Sequence, residues 1–157
     1  AKYDFSGKLI GTLVGWAGHL GDLDFNPRDG RVYGSLSNVA EFLRATIGAA
    51  DQETVLVLGL DQHLRLQVVR AVGTGTTTKV VVHPREVFRL LIEAGMHAAI
   101  LVHNHPGGDP TPSADDIELT RRMVDAGRIV GISVVDHVVV TRQSFASLAD
   151  LGLMISH

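Results

Sequence analysis

The chain predicts a mixed α/β fold of the α+β kind, a β-sheet with flanking helices, on three observations. Short apolar runs of strand length alternate irregularly with segments of helical period, and two of those runs are separated by a short polar turn that marks a hairpin. Of its 157 residues 45% are apolar, enough for one core. No internal repeat is visible.

Taken in order, residues 1–34 are rich in Gly and Asp, with Leu9–Trp16 reading as a strand and Asn26-Pro27-Arg28-Asp29-Gly30 as a turn. Ser37 suits the cap of a helix running to about Ile47, with Val39, Phe42, Leu43 and Ile47 on one face and Gly48 at its end. Glu53–Leu60 and Leu64–Val72 form the predicted hairpin, turning near Asp61-Gln62. Gly73–Thr78 reads as a short flexible connection and Lys79–Val82 as another strand. Pro84 fits the first turn of a helix whose Val87, Leu90, Leu91 and Ala94 make an apolar stripe ending at Gly95. Ala98–Val102 is a short buried strand feeding His103. A helix follows Ser113 and closes at Gly127; Ile129–Val135 and His137–Thr141 are strands, and a short element spans Phe145–Leu153. The expected organisation is an N-terminal extension over residues 1–36 and a domain over 37–157.

The segment that carries chemistry is His103-Asn104-His105-Pro106, followed eleven residues after His105 by Asp116. On a strand, alternate side chains share a face, so His103 and His105 point the same way. Two imidazole nitrogens and one carboxylate oxygen leave tetrahedral Zn²⁺ one position short, the position a catalytic site keeps for water. Pro110, Thr111 and Pro112 block regular structure ahead of Ser113, and Asp115, Asp116 and Glu118 crowd the first turn, where the helix dipole favours acids. Ser113-x-x-Asp116 alone is ordinary capping; with the upstream His-x-His it also fits a metal site, because a cap fixes the rotamers a ligand needs.

His103-x-His105, seven residues, then Ser113-x-x-Asp116 resembles the signature of JAMM (MPN-plus) zinc metallopeptidase domains, and the stretch from His103 to Asp116 resembles their RadC branch. Val82–Phe88 and Gly131–His137 resemble the segments flanking that motif, so the resemblance covers roughly residues 37 to 153. It implies the JAMM/MPN sandwich, of cytidine-deaminase-like type, with one Zn²⁺ on His103, His105 and Asp116. Glu53 would be the general base on a neighbouring strand, and Ser113 would help hold the oxyanion. Glu86, in the first turn of a helix after Pro84, is the rival base, although dipole compensation explains it without chemistry. Asp109 and Asp115 read as serving the loop and the helix start, with either a rival for Asp116. The resemblance also marks Asp136 and His137 as second-layer groups, and Arg85 offers a planar fork for a substrate carboxylate or phosphate. Most RadC-like proteins carry serine where this chain has Gly107 and a helix-hairpin-helix region ahead of the domain; no such pattern is visible here.

The expected activity is hydrolysis of a peptide or isopeptide amide bond by zinc-activated water. The alternatives are a DNA-repair-associated nucleic-acid-binding or nuclease module and a metal-free interaction module. A formal net charge of -3 argues against a broad phosphate-tracking face. Absence of Cys removes disulfides and thiolate ligands. No run approaches the roughly 18 apolar residues of a membrane helix, and no secretory signal pattern opens the chain, so the cytoplasm is the expected compartment. A peptide or protein conjugate is the expected partner, and the edges of a mixed sheet permit a homodimer without requiring one.

Overall fold

The computed structural model describes residues 2–3, 9–11, 24–26, 31–33, 43, 47–75 and 82–155. Its strands are β1 (Lys2–Tyr3), β2 (Leu9–Gly11), β3 (Asp24–Asn26), β4 (Arg31–Tyr33), β5 (Thr54–Leu60), β6 (Leu66–Thr74), β7 (Ala98–Asn104), β8 (Ser133–Val140) and β9 (Phe145–Ser147). The helices are α1 (Pro84–Glu93) and α2 (Ala114–Val130). The sheet has seven strands in the order β3-β4-β6-β5-β7-β8-β9, with β1 and β2 forming a separate pair. Neighbours are antiparallel except β7 and β8, which run parallel with α2 as the crossover between them.

Every residue of β5 and β7 is buried, which explains their near-continuous apolar sequence: both faces of the sheet are covered. Leu56, Leu58, Ile100, Val102, Val138 and Val140 pack with Leu43 and Ile47, one helical turn apart, on one face. Val55, Val57, Ala99 and Leu101 pack with Val87, Phe88 and Leu91 of α1 and Met123 of α2 on the other. The result is a mixed α+β sandwich, as the sequence predicts. Odd-numbered residues of β7 face α1 and α2, so His103 extends the line of Ala99 and Leu101 toward the start of α2.

Several elements differ from expectation. Leu64 belongs to the turn, not to a strand: Asp61 Oδ1 accepts the N–H groups of His63 (2.8 Å) and Arg65 (3.0 Å), and Leu64 returns the chain with φ 58°. The second hairpin strand consequently starts at Leu66 and takes in Gly73 and Thr74. Helix α2 does not stop at Gly127 but continues to Val130, capped by Gly131 in the left-handed region at φ 77°. Gly127 is a packing glycine: a Cβ there would run into the Ile132 carbonyl oxygen and meet Phe88 Cζ at 3.3 Å. Ile129 is therefore helical and exposed, and the two strands expected over 129–141 are one, β8. The expected turn 27–30, strand 79–81, most of the expected helix 37–47 and residues 12–16 lie outside the described residues. Among the described residues no helix is long and apolar enough to cross a membrane.

Candidate metal centre

Three donors converge where β7 ends and α2 begins. His103, buried at the end of β7, places Nε2 2.9 Å from His105 Nε2 and 3.1 Å from Asp116 Oδ1, and His105 Nε2 lies 3.3 Å from Asp116 Oδ2. Ligands held 2.0–2.2 Å from a tetrahedral centre stand about 3.3 Å apart, so the separations fit a zinc-sized cation. The chemistry of the donors agrees. His105 Nδ1 lies 2.9 Å from the Asp109 carbonyl oxygen, which can only accept, so Nδ1 carries a hydrogen and the ring turns Nε2, its remaining ligand atom, to the cluster. His103, His105 and Asp116 form the group of metal-ligating side chains found among the described residues.

Local sequence explains the placement. Pro106 and the Gly107-Gly108 turn, with Gly108 at φ 87°, reverse the chain after β7. A full capping box then sets α2: Ser113 Oγ accepts the Asp116 N–H at 3.1 Å, and Asp116 Oδ2 accepts the Ser113 N–H at 2.6 Å. Burial works to raise the Asp116 carboxyl, but the contacts to His103 and His105, with the Ser113 N–H, outweigh it and hold Asp116 far below the usual carboxylate range. The Asp116 carboxylate in turn raises His105 against the opposing effect of burial, and the Glu53 charge adds to the rise.

Glu53 immediately precedes β5. Val55 pairs with His103 across β5 and β7, so Glu53, two residues earlier on the same face, falls opposite His105 when the register is continued. Glu86 is engaged elsewhere: Arg85 Nε (3.1 Å) and an Arg89 guanidinium nitrogen (3.3 Å) donate to it, and the Arg85 contact lowers its carboxyl most, with burial opposing. Arg85 itself is exposed and spent on that pair. The Thr111 side chain and, after it, the Thr111 N–H, which donates to the Asp109 side chain at 2.9 Å in an Asx turn, lower the Asp109 carboxyl.

The Asp136-His137 pair divides. His137 points into the cluster, with Nε2 2.8 Å from His103 Nδ1 and Nδ1 2.6 Å from Thr120 Oγ1. Burial, with the neighbouring His103 second, pushes His137 down to about 3, so the ring is neutral. Asp136 turns away from the cluster. Its carboxylate accepts the His137 and Ala149 N–H groups (2.7 and 3.0 Å) and the Ser147 hydroxyl (2.7 Å), tying the turn after β9 to β8.

Two residues of this neighbourhood were missed by the sequence reading. Thr120 lies one helical turn beyond Asp116 on α2, a spacing that could have signalled it. Asn104, between the two histidines, faces the opposite side of the sheet and is fully buried; its Oδ1 accepts the Thr54 N–H (2.7 Å) and its amide donates to the Ala50 and Gln52 carbonyls (3.2 and 2.9 Å). It thereby fastens the segment that carries Glu53 to the strand that carries the histidines.

Comparison with known proteins agrees with this geometry. The family model described as a RadC-like JAB domain matches residues 33–153. A UPF0758 protein of Symbiobacterium thermophilum is 46% identical over 116 residues, 74% of this chain and 50% of the relative. Those of Syntrophomonas wolfei and Desulforudis audaxviator are 44% and 48% identical over 104 and 103 residues, each 66% of this chain and 44% and 45% of the relative. The chain spans about half the length of the curated relatives it matches. With its fold, its His-x-His strand end and its Ser-x-x-Asp helix start accounted for, the chain belongs to the RadC-like JAB domain family.

Proposed function

We propose that this chain is a zinc-dependent metallohydrolase that cleaves a peptide or isopeptide amide bond. The observation that carries the reading is the convergence of His103 Nε2, His105 Nε2 and an Asp116 oxygen at the mutual distances of a tetrahedral site. A donor set of two imidazoles and one carboxylate suits zinc and leaves a fourth position. When bound, the ion supplies a Lewis acid that lowers the pKa of water toward neutrality and polarises a carbonyl.

The protein groups do the rest. Glu53 takes the proton from the attacking water as its oxygen bonds to the carbonyl carbon; when the C–N bond breaks, the same carboxyl returns the proton to the departing nitrogen. Ser113 Oγ accepts from the Asp116 N–H, and among the described residues nothing takes the Ser113 hydroxyl proton, which leaves it to donate to the developing oxyanion.

The test is a panel of peptides and isopeptide-linked conjugates incubated with zinc-loaded protein and followed by mass spectrometry for new amine and carboxylate ends. Cleavage by the wild type that is lost in Glu53→Gln and in zinc-stripped protein is the expected result. Equal cleavage by Glu53→Gln, or none by the wild type on any member, contradicts the reading.

A further inference from the structure

Thr120 is fully buried, and its hydroxyl touches two groups at once, the Asp116 carbonyl oxygen at 2.6 Å and His137 Nδ1 at 2.6 Å. A hydroxyl has one proton to give. The carbonyl oxygen can only accept, so at 2.6 Å the proton must point to it; otherwise two bare oxygens would face each other in the protein interior. Thr120 Oγ1 then has only lone pairs to offer His137, and Nδ1 of that ring must carry the hydrogen. His137 has no solvent exposure, and its ring nitrogens meet only the hydroxyl and another imidazole, so burial keeps it neutral and leaves Nε2 bare. Across 2.8 Å the bare Nε2 can only accept, which puts the His103 proton on Nδ1.

We infer that Thr120 is a positioning residue that fixes the tautomer of His103 through His137, so that His103 presents the lone pair of Nε2 to the metal. The inference rests on the metal reading above: the hydrogen bonds fix the tautomer of His137 and put a hydrogen on His103 Nδ1, while His103 Nε2, 2.9 Å from His105 Nε2 and 3.1 Å from Asp116 Oδ1, is bared when a cation replaces the proton there. A single hydroxyl thereby joins the helical turn that carries one ligand, Asp116, to the ring that orients another, His103. Removing it frees His137 to take the opposite tautomer and donate from Nε2, which would place the His103 proton on Nε2, in the way of a cation. The neighbouring ligand has a separate device, since the Asp109 carbonyl fixes His105 without Thr120. The effect of Thr120 is therefore confined to one of the two imidazoles.

The experiment uses zinc-free protein at mildly alkaline pH, with long-range nitrogen–hydrogen NMR correlations reporting the tautomer of His137, and zinc competition against a chromophoric chelator reporting affinity. Wild type should show Nδ1–H on His137. Thr120→Val, of nearly the same shape, should move His137 toward Nε2–H and weaken zinc binding by roughly 10–100-fold, and Thr120→Ser should restore both readouts. Nε2–H on His137 in the wild type, or an unchanged His137 tautomer and affinity in Thr120→Val, would overturn the inference. Wild type that shows the assigned His137 tautomer but takes up no zinc supports the proton assignment and sinks the metal reading alone.

Discussion

Asp116 holds Ser113 and faces His105 with the same oxygen: Oδ2 accepts the Ser113 N–H at 2.6 Å and lies 3.3 Å from His105 Nε2. The helix cap thus fixes the rotamer of a metal ligand, and one residue pair answers to both folding and chemistry. Ser113→Ala removes the acceptor for the Asp116 N–H but leaves the backbone bond to Oδ2. It should cost about 1 kcal/mol of stability in urea unfolding. Zinc affinity should change little, while amide hydrolysis should fall by about 10²–10³-fold with the loss of the hydroxyl donor.

Glu53 opposes His105 across the ends of β5 and β7 without joining the converging donors. Glu53→Gln should accordingly keep full zinc content and fold while losing hydrolysis by at least about 10²-fold. Comparing metal content with turnover in one preparation checks this; loss of both together would make Glu53 a metal-site residue instead of a base.

The raised His105 sets the pH dependence. Without metal, a group whose folded pKa lies above its unfolded value stabilises the fold fully below the unfolded pKa and loses that contribution as pH rises through the folded value. The zinc-free protein should therefore lose stability as pH climbs above the ordinary histidine range. Zinc must displace the same proton, so its apparent affinity should rise with pH over that window, by up to about tenfold per pH unit if one proton is released. Calorimetric zinc titrations at several pH values measure both the affinity and the proton count. Asp116 is shifted the other way, and its stabilisation is present above the ordinary carboxylate range and lost on acidification.

Two glycines make opposite predictions. Gly127→Ala drives a Cβ into the Ile132 carbonyl and should cost about 1–3 kcal/mol in urea unfolding. Gly107, by contrast, has nothing within 4 Å of an added Cβ. Gly107→Ser should leave stability unchanged or raise it by up to about 1 kcal/mol.

The same contrast explains what could be read from sequence. Strands β5 and β7 were legible because burial on both faces writes an uninterrupted apolar run, and the start of α2 was legible because Ser113 and Asp116 satisfy each other locally. The end of α2 was not, since Gly127 is required by a neighbour brought close in space while Gly131, four residues on, supplies the left-handed cap. Strand β8 read as two because Asp136 and His137 look like a polar break, yet both are buried and fully bonded. Within the site, His103, His105 and Asp116 declare themselves by spacing. Asn104 finds its backbone partner Thr54 50 residues away, and Thr120 finds His137 17 residues away, so neither role exists until the sheet and α2 are assembled.

The most direct measurement is zinc binding by elemental analysis and calorimetry for the wild type and for His103→Ala, His105→Ala and Asp116→Ala, with circular dichroism confirming the fold of each. The account predicts about one zinc per wild-type chain and its loss in each variant. A wild type that takes up no zinc after reconstitution, or three variants that all retain it, would contradict the account at its centre.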